Sequence, residues 1–282
     1  MKNLVSILSL LVIIITACDD NTGVSEQEID QPQLPPLSTL APDISGITGD
    51  EVTSSANGEF ENVQAGNNFR AARQRGSVIG SFLGANVAFP ASLIAAAGST
   101  EPEQVEENVW VWSFEQENPL TNGMLESELT ATADMLSGSV DWELLLSSSG
   151  SFIGFEDFSI LTGTSNLDGT SGTWDISIMA PQSGEQSLAT TNEWLLESDS
   201  TFTLNSTIAL ENSPLKDDTF EYVVEESTKE LLFNDQSEST TVQITWKPAT
   251  VEGQLVAPNY NNGEPACWDA QKEDVNCDLV SL

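Results

Sequence analysis

Alternation of apolar and polar residues runs through the chain from Asn108 onward, and it constrains the fold more than any other feature. It is clearest in five stretches, residues 140–147, 173–178, 202–210, 220–225 and 242–246. Side chains two residues apart point to the same side of a strand, so each stretch has one apolar and one polar face. This pattern is typical of antiparallel strands that bury one face and leave the other in water. About ten strands at this spacing predict a mainly β fold, an antiparallel meander that is barrel-like or forms a sandwich.

An uncharged segment precedes the strands. From Gly76 to Thr100 the chain has no charged side chain, and Pro90 suits the first turn of a second helix. Large apolar residues recur there at helical spacing, namely Ile79, Phe82, Leu83 and Val87, and small residues recur at every fourth position, namely Gly76, Gly80, Gly84 and Ala88. We therefore predict a helical segment over residues 76–97, packed on a β-rich domain of residues 69–282. A membrane span and an exposed apolar patch are the alternatives.

Residues 18–68 have the composition of a tether. After the cysteine at its start, the stretch has four prolines, scattered Gly and Ser, and ten acidic residues without a single base. Such a segment has little apolar surface to bury and is expected to be disordered. An ordered strand around residues 34–40 is the alternative.

The first eighteen residues have the pattern of an export signal. Lys2 is followed by an uncharged apolar run, residues 4–18, which is too short to span a membrane and ends in the sequence I-T-A-C. On these residues the chain resembles the bacterial lipoprotein family. The resemblance implies that residues 1–17 are a cleaved signal peptide and that Cys18 is diacylated and anchors the protein to a membrane. An ordinary secretory peptide with an incidental cysteine is the alternative. The body loosely resembles uncharacterised β-rich exported lipoproteins, which implies no function.

Asp19 and Asp20 follow the cysteine directly, and here two resemblances conflict. In enterobacterial lipoproteins an Asp at this place resembles a signal for retention at the inner membrane. In Bacteroidota-like organisms, acidic residues after the cysteine resemble a surface-export signal. We favour the outer membrane, on its periplasmic face or at the cell surface, because the acidity of the chain suits contact with saline water.

The charge balance excludes several functions. The chain has 44 acidic and 8 basic residues, for a formal net charge of −36, and it has no histidine. Such a surface repels nucleic acid, and it is typical of halophilic exported proteins, in which salt screens the repulsion. The absence of histidine excludes Ser-His-Asp and Cys-His catalysis and histidine-based metal sites.

The two remaining cysteines lie in the C-terminal tail. If Cys18 carries lipid, Cys267 and Cys277 are left in an oxidising compartment, where a disulfide that closes the tail is expected. The side chains around this loop could supply oxygen ligands for Ca²⁺, namely Asp269, Glu273, Asp274 and Asp278 with Asn259, Asn261 and Asn262. No calcium-loop spacing is present, so a solvated loop is the favoured interpretation, and we assign no metal site and no cofactor.

Three functions fit these observations. The favoured one is a non-enzymatic envelope lipoprotein, a structural or binding module whose protein, glycan or apolar ligand is not identified. The second is a lipocalin-like carrier of an apolar ligand in an open barrel. The third is a glycan hydrolase that uses two carboxylates, but adjacent acids such as Asp141 and Glu143, Glu156 and Asp157, or Glu225 and Glu226 are common in this chain. We assign no catalytic residue.

Overall fold

The structure is a computed structural model that describes residues 31–48, 67–118, 123–149, 155–179, 185–198 and 200–282. The signal peptide, Cys18 and tether residues 19–30 and 49–66 lie outside the described residues. The predictions made about them stay predictions.

Fourteen antiparallel strands form one sheet, in which every strand pairs with its neighbours in the chain. The strands are β1 (Glu103–Glu106), β2 (Val109–Asn118), β3 (Gly123–Asp134), β4 (Ser139–Ser149), β5 (Phe155–Asn166), β6 (Ser171–Met179), β7 (Gln186–Ser198), β8 (Thr201–Ile208), β9 (Thr219–Glu225), β10 (Thr228–Asp235), β11 (Thr240–Trp246), β12 (Gly253–Val256), β13 (Ala266–Trp268) and β14 (Asp274–Val275). The predicted mainly β meander is confirmed. Among the described residues the pairing ends at β1 and β14, so the sheet is open and does not close into a barrel.

The alternation of residue types gives this sheet two different faces. In β3, Leu125, Leu129 and Ala131 are buried, whereas Glu126 and Glu128 between them are exposed. We call the side with the buried apolar residues the covered face and the other the open face. The register continues each face across the strands, since apolar residues pair with apolar ones, as Leu129 does with Leu144.

Two glycines make room for tryptophan rings on the covered face. A Cβ atom at Gly163 would lie 2.4 Å from the Trp174 ring, and one at Gly172 would lie 2.5 Å from the Trp194 ring. Both distances are shorter than any van der Waals contact, so each ring lies directly against the backbone of the neighbouring strand. Any larger residue at these two positions would displace a buried ring.

Two helices lie over the covered face. Helix α2 (Asn68–Asn86) packs against β12 and β13, and helix α3 (Ala88–Ala97) packs against β2 and β3. Ile79, Phe82 and Leu83 are buried, as predicted for a core helix. The helix starts at Asn68 rather than at residue 76, because the Asn67 side chain caps it by accepting a hydrogen bond from the Arg70 N–H at 2.9 Å.

No single described helix is long and apolar enough to cross a membrane, whereas α2 and α3 together, bent by 58° at their junction, have that length and composition.

Residues 31–48, which we call the inner segment, also belong to the body. The segment contains a 3₁₀ turn (Leu37–Thr39) and a short helix, α1 (Ser45–Thr48), and Leu40 and Ile47 are 1% and 0% exposed. The prediction that residues 18–68 are disordered throughout is therefore wrong for this part, and the folded domain does not begin at residue 69. The physical reason is that a few apolar side chains fit the covered face, which the average composition of fifty residues conceals.

The inner segment approaches two glycines of α2 closely. A Cβ atom at Gly76 would lie 2.9 Å from Ile47 Cδ1, and one at Gly80 would lie 3.2 Å from Ile44 Cδ1. Gly84 has open space at the corresponding point. Two glycines of the four-residue repeat thus accommodate the inner segment rather than a strand or a lipid tail.

Candidate functional site

A row of tryptophan rings crosses the covered face. The ring centroids of Trp112 and Trp142 are 5.9 Å apart, those of Trp142 and Trp174 are 6.3 Å apart, and those of Trp174 and Trp194 are 5.2 Å apart and stacked. Each ring is at most 2% exposed. Aromatic pairs at these distances stabilise a core beyond the area that they bury. The rings fill the surface that a carrier of an apolar ligand would leave open.

The inner segment is held on this surface by buried hydrogen bonds. Asn192, which is 2% exposed, donates through Nδ2 to the carbonyl oxygens of Thr39 at 3.1 Å and Leu40 at 2.8 Å. Ser206 donates through its hydroxyl to Asn192 Oδ1 at 2.7 Å, which fixes the orientation of the amide. Trp174 Nε1 donates to the Thr39 hydroxyl at 2.9 Å. Asn192 therefore provides a buried donor for two main-chain carbonyl oxygens of the inner segment.

A second attachment lies nearer the water, at Asp43. Lys229 Nζ contacts Asp43 Oδ2 at 2.6 Å, and the Tyr222 hydroxyl donates to the Asp43 carbonyl oxygen at 3.2 Å. Partial burial alone would raise the pKa of Asp43, but hydrogen bonds from Lys229 and Ser45 outweigh it and the pKa is lowered. Burial would lower the pKa of Lys229, but its interactions with Asp43 and Tyr222 together outweigh burial, and the pKa of Lys229 is raised.

Asn192 and Thr39 were missed by the sequence analysis, although a signal for Asn192 existed. It stands two residues before Trp194 and therefore on the same side of β7, in a position that the alternation assigns to the core. A polar residue in a core position needs a buried partner. Thr39 offers no such signal, because it lies in a segment of irregular structure.

The predicted disulfide joins β13 to a turn near the end of the tail. The sulfur atoms of Cys267 and Cys277 are bonded at 2.08 Å, and Cys277 begins a 3₁₀ turn (Cys277–Leu279). Trp268, beside the first cysteine, is fully buried, and its ring meets the Phe69 ring edge to face at 5.8 Å. The tail therefore contributes one large side chain to the core.

The side chains considered for Ca²⁺ form hydrogen bonds with separate partners, some near in the chain and some distant. Asp269 Oδ1 accepts from the backbone N–H groups of Gln271 at 2.9 Å and Glu273 at 3.0 Å, and Asp274 Oδ1 accepts from the Asn68 N–H at 2.7 Å. The remaining candidates are also spread out: Asn259 accepts from Arg75, Asn261 donates to the carbonyls of Glu264 and Pro265, Asn262 lies in a turn, and Asp278 accepts from Asn276. Within the described ranges, no group of three or more His, Cys, Asp or Glu side chains could hold a metal ion.

The adjacent carboxylates considered for a hydrolase are exposed. Asp141 and Glu143 point from β4 into water on the open face, and the other two pairs, Glu156 with Asp157 and Glu225 with Glu226, are exposed as well. Two shallow depressions, of about 630 Å³ and 540 Å³, lie on the described part of the open face. Their acidic linings are Glu115, Glu126, Glu128 and Asp157 in the first, and Asp175, Glu193 and Glu221 in the second.

Among the described residues, Asp218 is a carboxyl that is removed from water. It is 2% exposed in the loop between β8 and β9, and its Oδ1 accepts from the Gln236 N–H at 2.8 Å. Burial raises the pKa of Asp218 to about 6, the hydrogen bond opposes that shift, and the nearby charges of Asp235 and Asp217 add to it. A hydrolase needs such a carboxyl in an open cleft, whereas this one is buried within the β8–β9 loop.

No family model matches the chain, and no curated protein or solved structure matches it either.

Proposed function

We propose that this protein is a lipoprotein of the bacterial cell envelope, anchored to the outer membrane by lipid on Cys18. The observation that carries the proposal is the uncharged run of residues 4–18 with its I-T-A-C ending. Export also suits the disulfide between Cys267 and Cys277, which is of a kind that persists in oxidising compartments.

The folded body acts without catalysis, as a structural or binding module. The occupied covered face supports a module over a carrier, since the tryptophan row, the two helices and the inner segment lie where an apolar ligand would have to bind. The open face remains as a broad polar surface lined by Thr, Asn, Asp and Glu side chains. It is the part of the body that a polar partner would meet.

Labelling of Cys18 tests the anchor. The full-length chain is expressed in a bacterial host that processes lipoproteins and is fed an alkynyl fatty acid. We expect the wild-type protein to take up the label and Cys18→Ala to lose it. Cys277→Ala, which removes a cysteine from the tail, is the matched control and should keep it. Label that persists in Cys18→Ala would refute the anchor.

Native mass spectrometry tests the absence of a carried ligand. The detergent-extracted protein should have the mass of the acylated chain alone. A stoichiometric lipid that is released only when the protein unfolds would show that the covered face accepts a guest, and it would favour the carrier instead.

A further inference from the structure

The connections that follow odd-numbered strands all lie at one end of the sheet. Because neighbouring strands are antiparallel, the connections β3–β4, β5–β6, β7–β8 and β9–β10 lie together, and we call this end the turn end. The longer loop between β8 and β9 lies at the opposite end. An antiparallel meander necessarily separates its connections in this way.

The inner segment meets the sheet at the turn end. Gly169 lies in the β5–β6 turn with φ +68°, and a Cβ atom there would be 3.3 Å from the Gln33 carbonyl oxygen and 3.6 Å from Pro35 Cα. From this point the segment continues over the covered face to Asp43 and on to α1. The chain that leads back to Cys18 therefore leaves the body beside the β5–β6 turn.

The neighbouring β3–β4 turn presents two large apolar side chains to water. Leu136 is fully exposed at 101% and Met135 is 46% exposed. The Asp134 carboxylate accepts from the Leu136 N–H at 2.9 Å, and Gly138 takes φ +71°. Asp134 and Gly138 therefore determine the shape of the turn. Nothing in its backbone requires an apolar residue at the tip.

The tip lies close to the point where the chain leaves the body. The β3–β4 and β5–β6 turns are two strand spacings apart, which is roughly 10 Å at about 4.8 Å per strand. Fifteen peptide units join Cys18 to Gln33. Fully extended they reach at most about 50 Å. A lipid on Cys18 would thus keep the turn end near the bilayer.

We propose that the turn end faces the bilayer and that Met135 and Leu136 insert into its interfacial region. The proposal rests on the lipid anchor proposed above. The two apolar side chains at the tip suit a lipid surface. The Asp134 carboxylate at the base of the turn and the strong net negative charge of the chain make that surface a zwitterionic one. The strands would then run away from the membrane surface, and the open face would be accessible to molecules in the surrounding water.

Site-specific fluorescence tests this orientation. Full-length acylated Leu136→Cys is labelled with the environment-sensitive dye NBD and reconstituted into phosphatidylcholine vesicles, with and without doxyl-labelled lipid. Leu188→Cys is the matched control, because Leu188 is also an exposed leucine, 37% accessible, but lies in β7 near the opposite end of the sheet. Intact mass establishes acylation of Cys18 in both samples beforehand.

We expect the dye at position 136 to shift its emission to shorter wavelength on the vesicles and to be quenched by doxyl lipid. The dye at position 188 should keep its emission in water and its intensity. If acylated Leu136→Cys reports water on the vesicles, or if quenching is equal at the two positions, the orientation is refuted while the anchor stands. If Cys18 carries no lipid, the anchor fails and the orientation falls with it.

Discussion

The inner segment (residues 31–48) and the C-terminal tail (residues 258–282) are both short of regular structure, yet different forces order them. The tail pairs its backbone in β13 and β14 and is closed by the Cys267–Cys277 bond. The inner segment contributes no strand, and it is ordered by apolar side chains that enter the core and by core side chains that hydrogen-bond its backbone. The tail is therefore held by a disulfide and by main-chain hydrogen bonds. The inner segment is held by side chains that fit the covered face.

The largest effect is expected where the inner segment enters the core. Ile47 is 0% exposed and contacts the backbone of α2 at Gly76, so Ile47→Ala should lower the free energy of unfolding by about 2–5 kcal/mol. Leu37→Ala is the control, since Leu37 is 46% exposed in the same segment, and it should change stability by less than about 0.5 kcal/mol. Urea unfolding followed by tryptophan fluorescence measures both variants. Equal, small effects would mean that the segment is not part of the core.

Reduction of the disulfide should have the next largest effect. A closed loop of ten residues contributes about 2.5–3 kcal/mol in the chain-entropy account, so the reduced and alkylated protein should lose about that much stability. The Trp268 environment should survive, because β12–β13 pairing holds this residue independently of the bond. Loss of the whole near-ultraviolet circular dichroism signal on reduction would show that the tail orders the sheet and is not merely attached to it.

Removal of the Asn192 amide should cost somewhat less. Asn192→Ala leaves the Thr39 and Leu40 carbonyl oxygens without a buried donor, which costs about 1–3 kcal/mol. The matched variant is Asn205→Ala, at an exposed asparagine on the open face of the neighbouring strand β8. Equilibrium unfolding should separate the two variants clearly. If Asn205→Ala lowered the free energy of unfolding as much as Asn192→Ala, the Asn192 hydrogen bonds would not be what holds the inner segment.

Acid should loosen the inner segment slightly. The pKa of Asp43 is lowered in the folded protein, so its stabilising contribution is complete above about pH 4 and is lost as pH falls through the folded value. The side chain is largely exposed, and the effect should not exceed about 1 kcal/mol. Asp43→Asn should abolish this part of the pH dependence, which melting curves between pH 7 and pH 3 would reveal. An unchanged pH profile in Asp43→Asn would contradict the role of the ion pair.

The sequence predicts the strands well because alternation is a local signal. Alternating runs such as residues 202–210 predict which side chains are buried. Trp142, Trp174 and Trp246 lie in the core, as their positions in the alternation predict. The disulfide was predictable for a different reason. Only two cysteines remain once Cys18 is assigned to lipid, so they have a single possible pairing. Whether the sheet closes is not local, because it depends on the sum of small twists over fourteen strands.

The inner segment escaped prediction because its order depends on distant residues. Leu40 and Ile47 become core residues only where Asn192, Trp174 and Gly76 provide a matching surface, more than twenty residues away in each case. Prolines and acids in the surrounding stretch dominate its average composition. A low apolar content shows that a segment cannot form a core of its own, but it does not show that the segment stays outside another core.

Amide hydrogen exchange of the full-length protein tests most directly whether the inner segment is an integral part of the body. The N–H groups of Leu40 and Ile47 donate to the carbonyl oxygens of Leu37 and Ile44, both at 3.1 Å, beneath the two helices. We predict that these two amides exchange as slowly as those in the middle of β10 and β11. Exchange at the rate of an unstructured chain, with β10 and β11 still protected, would show that the covered face is free and would contradict this account.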